Sequence, residues 1–344
     1  MGLSATGARL EVSREAILAH RRTVGALDER LPPGADSLRR AAWAGLSDSM
    51  PRAALLSIHA RVAGTRADAL ADPSLVQLWG PRFSAYAVAA ADRPVFTLGR
   101  LPASGARLRR AVDTAERVDR FLSGRTMPYG DVGRALGVHP NELRYGAPTG
   151  RILIDWDGAR QPTIRTVPSP EMTPEEARLE LARRFLHVFG TGTPTSFSDW
   201  AGVKPPAAQA AFDGLERSLV PVRTPVGDTW ILGTDEASLR APSPPAAGVR
   251  LLPSGDTFYL LQGADRALLV EDSAQRAMLW TTRVWPGAVF VDGEVAGTWR
   301  RADAVVTIQP WRRLADSARD AVQAEGESLP LPGLEGRILV RWES

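Results

Sequence analysis

Residues 126–167, TMPYGDVGRALGVHPNELRYGAPTGRILIDWDGARQPTIRTV, carry the pattern that decides the fold of this chain. Residues 131–136 predict a short helix, because their apolar side chains fall on one helical face, namely Val132, Ala135 and Leu136. Residues 139–142, His-Pro-Asn-Glu, predict the start of a second helix, because proline is favoured at the first helical position and glutamate in the first turn. The two predicted helices, separated by Gly137, form a helix-turn-helix.

A two-stranded wing follows this helix-turn-helix in the sequence. Residues 151–156 and 163–167 are rich in apolar and β-branched side chains, and Asp157-Gly158 between them is typical of a hairpin turn. Arg160 lies near the tip of the predicted hairpin. Two crossed helices with a basic hairpin fit a DNA groove and its phosphate backbone. The sequence therefore predicts double-stranded DNA as the partner.

Six side chains of this stretch are candidate DNA contacts. Asparagine and arginine suit the edges of adenine and guanine, so the second helix offers His139, Asn141 and Arg144 for base recognition. The wing offers phosphate contacts through Arg151, Arg160 and Arg165. Each set has an alternative interpretation. The helix could be solvated and used only for packing, and the hairpin could be charged only for solubility.

Composition limits the function classes. The chain has 344 residues, enough for two to three domains, and a net charge of only +3. Of its 42 basic residues only Lys204 is a lysine; arginine makes planar, bidentate contacts to phosphate and guanine, although a GC-rich coding sequence also favours it. The absence of cysteine excludes disulfides and thiolate chemistry. No apolar run is long enough to span a bilayer and no signal-peptide pattern appears, so we expect a cytoplasmic protein.

The sequence offers no pattern for a metal or a cofactor. The four histidines lie far apart and lack metal-ligand spacing, at positions 20, 59, 139 and 187. Phosphate-binding glycine loops and a nucleophile elbow are also missing. We therefore expect no metal and no cofactor.

The predicted fold class is α+β, with tandem winged helix-turn-helix domains followed by a β-rich, barrel-like C-terminal domain. We place the domains at residues 1–105, 106–169, 170–241 and 248–344. In the first domain, residues 82–88 and 95–98 predict a small hairpin. In the last domain one helix is predicted over residues 312–327, with strands at 260–261, 267–270, 289–291, 294–299, 305–308 and 338–342.

Four segments in order resemble a known family. They are Gly45-Leu46 with Pro51-Arg52-Ala53-Ala54-Leu55; residues 181–186 with Gly190, Phe197, Trp200 and Gly202; Leu251-Leu252-Pro253 with Asp256; and Val291-Asp292-Gly293-Glu294-Val295 with Gly297-Thr298-Trp299-Arg300. Together they resemble the bacterial winged-helix DNA-binding proteins of the AlkZ/YcaQ type over essentially the full length. The resemblance implies three tandem winged helices and a C-terminal β-barrel around an arginine-lined channel for duplex DNA. It also implies a DNA glycosylase that removes bulky alkylated purines and unhooks interstrand crosslinks.

Two motifs depart from the family pattern. Active members carry Gln-x-Gln or Gln-x-Asp directly after Gly-Leu, whereas this chain has Ser47-Asp48-Ser49. A serine hydroxyl has too high a pKa to act as a base alone, so Asp48 is the only carboxylate at the catalytic position. A second motif, similar to Arg-Gly-Thr-Leu-His, is Arg82-Phe83-Ser84-Ala85-Tyr86 here, with tyrosine at the histidine position. Arg52 and Arg82, which lie in these segments, join the candidate DNA contacts.

Two hypotheses for function follow. The favoured one is a non-catalytic DNA or lesion binder, because both glutamines and the histidine are replaced; Ser47-Asp48-Ser49 is then a helix cap. The alternative is a divergent glycosylase in which Asp48, or a water held by Ser47 and Ser49, stabilises the developing oxocarbenium ion. The oligomeric state stays open, with a monomer expected.

Overall fold

Helices and short hairpins alternate along the chain in the computed structural model, which describes residues 9–50, 52–158, 160–334 and 336–343. The α+β class is confirmed. The helices of the described residues are α1 Arg14–Val24, α2 Ala35–Ala41, α3 Ala53–Arg61, α4 Arg93–Leu98, α5 Gly105–Leu122, α6 Tyr129–Ala135, α7 Pro174–Phe189, α8 Pro194–Ala201, α9 Pro205–Gly214, α10 Glu236–Arg240, α11 Arg266–Leu269, α12 Ser273–Leu279 and α13 Asp316–Glu327. Residues 1–8 of the first predicted domain and Pro51 of the first family segment lie outside the described residues.

The strands of the described residues form three sheets. They are β1 Leu10–Glu11, β2 Leu46–Ser47, β3 Leu75–Trp79, β4 Ala85–Ala89, β5 Met127–Pro128, β6 Ile152–Asp155, β7 Thr163–Thr166, β8 Leu219–Thr224, β9 Gly227–Leu232, β10 Val249–Leu252, β11 Gly287–Val291, β12 Glu294–Ala302, β13 Val305–Pro310 and β14 Leu339–Trp342. Their orders are β2-β4-β3-β6-β7-β5, β1-β8-β9 and β10-β11-β12-β13-β14.

The helix–helix–hairpin order predicted for residues 126–167 is confirmed. The first helix is α6, and the second is a 3₁₀ helix, Pro140–Thr149, that starts at its proline. The hairpin of β6 and β7 pairs Ile154 with Ile164 and ends at Asp155 opposite Thr163. Strand β6 ends at Asp155 and β7 begins at Thr163, so the pairing stops well before the tight turn predicted at Asp157-Gly158.

The hairpin predicted near the end of the first domain is right in one strand and wrong in the other, because residues 85–88 of the predicted strand 82–88 lie in β4. The observed hairpin joins β3 and β4, with Leu78 opposite Tyr86, and residues 95–98 belong to helix α4. Val95, Phe96 and Leu98 are all buried there. A short apolar run does not distinguish a buried helix from a strand, and Pro94 in the first turn favours the helix.

One six-stranded sheet extends across the predicted boundary between residues 105 and 106. Gln77 of β3 pairs with Ile154 of β6, which joins the first hairpin to the wing strands. Because β2 pairs with β4, Ser47 and Asp48 belong to this same sheet region. The sheet thereby positions the degraded family motif beside the wing.

The next unit repeats the helix–helix–hairpin order. Helix α7 starts with a capping box in which the Thr173 hydroxyl accepts from the Glu176 amide and the Glu176 carboxylate accepts from the Thr173 amide. Helices α8 and α9 follow, and β8 and β9 form a tight hairpin closed by Thr224 opposite Gly227. The N-terminal strand β1 adds to this hairpin in parallel with β8.

The C-terminal region is β-rich but differs from the prediction. Residues 260–261 form no strand and residues 267–270 overlap helix α11, while strand β10 was not predicted. Strands β10 and β14 are the edges of the sheet in the described part of the chain, and helix α13 packs against both. Hydrogen bonding between these described strands therefore does not close a barrel. None of the described helices is long and apolar enough to cross a bilayer.

Candidate active site and nucleic-acid interface

The Ser47-Asp48-Ser49 motif lies where strand β2 ends, just before helix α3. Ser47 pairs with Tyr86 of β4, and the Asp48 amide donates to the Ala85 carbonyl at 2.8 Å. The side chain of Asp48 turns inward, so the residue is only 1% exposed. The Ser47 and Ser49 hydroxyls lie 3.1 Å apart, and of the three residues only Ser49 is exposed. The strand backbone thus brings the two serines together and buries the carboxylate.

Two neighbours bind the carboxylate of Asp48. Its Oδ1 accepts the Ala54 amide of the first turn of α3 at 3.0 Å, and its Oδ2 lies 3.4 Å from the Gln77 amide nitrogen. The first bond satisfies an amide of the first turn of α3, as the non-catalytic hypothesis predicts for this motif, although Arg52 is the N-cap residue itself. Burial raises the pKa of Asp48 to about 6, although the hydrogen bond from Ala54 and the charge of Arg52 act in the opposite direction. The group therefore titrates close to neutral pH.

Gln77 is a site residue that the sequence analysis missed. Its Oε1 accepts the Trp156 amide at 2.7 Å and its Nε2 lies 3.2 Å from the Trp156 carbonyl. The same Nε2 contacts Asp48, so one amide group joins the Ser47–Ser49 segment to the base of the wing. A polar residue within the apolar strand Leu75–Trp79 is the pattern that could have indicated it.

Tyr86 occupies the position where the family motif has histidine. It is buried, and burial raises the pKa of its hydroxyl while the charges of Arg82 and Arg100 and the Ser47 side chain lower it. A buried neutral phenol can donate a hydrogen bond but does not act as a base near pH 7. The tyrosine therefore supports the strand rather than replacing the imidazole.

The C-terminal region covers the motif from the other side. A Cβ built on Gly255, whose φ is +75°, would lie 3.3 Å from the Ser47 hydroxyl oxygen. Next to it, the buried carboxylate of Asp256 accepts hydrogen bonds from Arg61 Nη1 and Nη2, both at 2.7 Å, and from the Ser57 hydroxyl at 2.6 Å. This ion pair fixes the 253–257 segment to helix α3.

Three of the predicted DNA contacts lie around the motif. Arg52 directly precedes α3 in a left-handed conformation with φ of 70°. Its positive charge acts to lower the pKa of Asp48. Arg82 is exposed, and its charge reaches Tyr86. Arg144 is half-buried: its Nη1 lies 3.5 Å from the Phe83 carbonyl and its guanidinium stacks over the Trp79 ring. In this conformation Arg144 joins the 3₁₀ helix to the turn at Arg82.

The other predicted contacts are distributed over the 3₁₀ helix and the wing. His139 and Asn141 are exposed, and the His139 ring accepts from the Asn141 amide as the helix cap. Arg151 is paired with Asp119 at 2.5 Å and Arg165 with Asp155 at 3.4 Å. Arg160 is exposed, and its carbonyl accepts from the Trp156 indole at 2.7 Å. Its loop is therefore tied to Gln77 and, through it, to Asp48.

The family model described as "DNA glycosylase AlkZ-like" matches residues 40–330. The chain belongs to the AlkZ-like DNA glycosylase family. A solved structure, the DNA glycosylase AlkZ of Streptomyces sahachiroi, is similar with a TM-score of 0.77 and 19% identity, over 97% of this chain and 100% of that chain. No curated protein sequence matches the chain. The resemblance drawn from the four sequence segments is thus confirmed for the family and the fold.

Proposed function

We propose that the chain binds duplex DNA and that Ser47-Asp48-Ser49 supports this interface structurally instead of hydrolysing a glycosidic bond. The observation that carries the non-catalytic role is the burial and hydrogen bonding of the Asp48 carboxylate. Its two carboxylate oxygens face the Ala54 amide and the Gln77 amide, and the residue is 1% exposed. A base that attacks a nucleotide through water must reach that water, and a buried, capped carboxylate does not.

Three winged-helix units form the framework of this proposal. We interpret α2 and α3 with the β3–β4 hairpin, α6 and the 3₁₀ helix with the β6–β7 hairpin, and α8 and α9 with the β8–β9 hairpin as winged helices. They correspond to the predicted domains at residues 1–105, 106–169 and 170–241, followed by the β-rich domain at 248–344. A winged helix meets DNA with its second helix and its hairpin.

Arginines supply the affinity in this proposal. The charge of Arg52 acts on Asp48, and hydrogen bonds lead from Asp48 through Gln77 to Trp156 and from Trp156 to Arg160. Arg82 lies beside Tyr86 on the same sheet region. Arginine–phosphate contacts release counterions, so the affinity should fall steeply as salt increases. Arg151 and Arg165 are already paired with acids and contribute less.

A binding titration tests the interface. Fluorescence anisotropy with a labelled duplex, at two salt concentrations, should give an affinity that falls with salt. Arg82→Ala and Arg160→Ala should each weaken binding and reduce the salt slope by about 1. Arg66→Ala is the matched control, because Arg66 is 83% exposed and paired with Asp68. A wild-type chain that fails to bind duplex at low salt overturns the proposal.

A divergent glycosylase is the second candidate function, and one observation favours it. The fold places the Gln77 amide 3.4 Å from the Asp48 carboxylate, which reunites a glutamine and an aspartate although the sequence motif has lost its glutamines. The raised pKa of Asp48, caused by burial, is also typical of catalytic carboxyls. In this hypothesis the site must open to admit the target nucleotide.

An activity assay separates the two candidates. Duplexes with N7-alkylated purines or an interstrand crosslink are incubated with the protein, and abasic sites are measured. The binder hypothesis expects no product from any lesion. Product that disappears with Asp48→Asn, while duplex affinity is kept, would instead establish the glycosylase.

A further inference from the structure

Three side chains that are far apart in the sequence converge at the junction of the N-terminal helix and the third helix–hairpin unit. They are His20 of α1, His187 of α7 and Asp235, which directly precedes α10. One ligand atom of each lies within 4.8 Å of those of the other two. The closest pair is His187 Nδ1 and Asp235, whose two carboxylate oxygens lie 2.9 and 3.0 Å away. His20 Nε2 lies 4.0 Å from Asp235 Oδ2.

The donor set suits a borderline divalent metal. Two imidazole nitrogens and one carboxylate oxygen form the three-ligand set of many zinc sites, which leaves a fourth position for water. With bonds of about 2.0–2.1 Å, the ligand atoms of a tetrahedral zinc ion lie about 3.3–3.4 Å apart. His187 Nδ1 and the Asp235 oxygens, at 2.9 and 3.0 Å, must therefore separate slightly. His20 Nε2, at 4.0 Å from Asp235 Oδ2, must approach by roughly 0.6 Å.

The surroundings of His20 already hold it in a ligand-like position. Its Nδ1 lies 3.1 Å from the Ser238 hydroxyl. A metal-binding histidine commonly donates a hydrogen bond from its other ring N–H to a nearby oxygen. Gly190 lets the backbone pass closely, because a Cβ there would lie 3.2 Å from the His20 ring.

Metal binding would replace two hydrogen bonds of the cluster with bonds to the ion. His20 Nε2 lies 2.8 Å from the His187 carbonyl and His187 Nδ1 faces Asp235. Binding replaces the protons on both nitrogens, and the Ser238 hydroxyl can accept from the new His20 Nδ1–H because a hydroxyl acts in either role. The His187 side chain is 37% exposed, which gives the ion and its water access from solvent.

We propose that His20, His187 and Asp235 bind one Zn²⁺ ion that cross-links helix α1 to the third helix–hairpin unit. The site is independent of DNA binding and of Asp48. Its expected effect is structural: an ion that binds only the folded chain raises the melting temperature by mass action. The sequence pattern alone predicts no metal site, because the three residues come from three separate segments.

The test uses the full chain after treatment with a chelator and its removal. Titration with ZnCl₂ in a calorimeter should show one ion per chain, and Co²⁺ should give a visible absorption band. His187→Gln and Asp235→Asn should abolish this binding, and Ser238→Ala should weaken it by about 10–100-fold. His139→Gln is the matched control, because it removes an exposed histidine from another region.

Folding of each variant is checked by far-UV circular dichroism. His187→Gln is the decisive variant, because the partial exposure of this side chain lets the fold tolerate its replacement. A wild-type chain that binds no Zn²⁺ overturns the proposal. So does Zn²⁺ binding that persists undiminished in His187→Gln and Asp235→Asn, because the ion would then lie elsewhere.

Discussion

Replacing Asp48 with asparagine should stabilise the protein at neutral pH and not at acidic pH. The substitution keeps the size of the side chain, and an asparagine oxygen can still accept the Ala54 amide that caps α3. What it removes is a negative charge buried to 1% exposure. It also places the asparagine NH2 against the Gln77 amide nitrogen, a contact that is long at 3.4 Å in the wild type. That loss does not depend on pH, so the pH dependence of the difference isolates the free-energy cost of the buried charge.

The magnitude follows from the pKa of Asp48. Burial raises it to about 6, against about 3.9 in an unfolded chain. A carboxyl with a higher pKa in the folded state holds its proton more tightly there, so protonation favours folding. The ionised group thus lowers the free energy of unfolding by about 3 kcal/mol at pH 7, and this cost vanishes as the pH falls from about 6 to about 4. Between pH 7.5 and pH 4.5 the change is about 2 kcal/mol.

His59 opposes this trend in the wild-type chain. Burial lowers the pKa of its imidazole to about 4, against about 6.5 when unfolded. Its protonation favours unfolding, so it removes stability as the pH falls from about 6.5 to about 4. The two groups nearly cancel, and the wild-type stability should change little over this range on their account. The difference between wild type and Asp48→Asn isolates the carboxyl.

Urea unfolding at pH 4.5 and 7.5, followed by tryptophan fluorescence and circular dichroism, measures that difference. Asp48→Asn should gain about 2 kcal/mol relative to wild type between pH 4.5 and pH 7.5. Asp68→Asn, at a 67% exposed side chain, is the control and should give the same difference at both pH values. If Asp48→Asn is equally destabilised at both pH values, or more destabilised at pH 7.5, the ionised carboxylate stabilises the cap and the reasoning from burial is refuted.

Three further substitutions test the packing of the motif. Gly255→Ala should destabilise the fold by about 1–2 kcal/mol, because φ is +75° and the new Cβ would lie 3.3 Å from the Ser47 hydroxyl; in urea unfolding it should cost more than Gly263→Ala, whose Cβ meets nothing within 4 Å. Asp256→Ala leaves Arg61 buried without its partner and should cost about 3–5 kcal/mol; a loss below 1 kcal/mol, as expected for an exposed pair, would contradict the role of this ion pair. Gln77→Leu removes the contacts to the Trp156 backbone at 2.7 and 3.2 Å and should accelerate amide hydrogen exchange at Trp156; unchanged exchange there would show that the wing is held without Gln77.

Local sequence patterns correctly predicted the elements that depend on residues only a few positions apart. The capping box at Thr173 formed because the capping hydroxyl and the glutamate are three residues apart, within reach in any conformation that starts the helix. The β8–β9 hairpin likewise follows from its turn. Residues 95–98 and 267–270 were misassigned because a short apolar run fits a buried helix as well as a strand. Burial by distant segments decided between the two.

The sequence by itself determined the family, the α+β class and the position of the degraded motif, because these depend on residue identities and on spacings of a few residues. Only the tertiary structure shows the surroundings of Asp48. Its cap lies six residues away, but Gln77 comes from 29 residues along the chain, and the neighbouring Asp256 is bound by Arg61 across 195 residues. Burial and charge depend on every segment that packs around a group, and no local pattern contains that information. The same reason hides the His20–His187–Asp235 cluster from the sequence and reveals it in the fold.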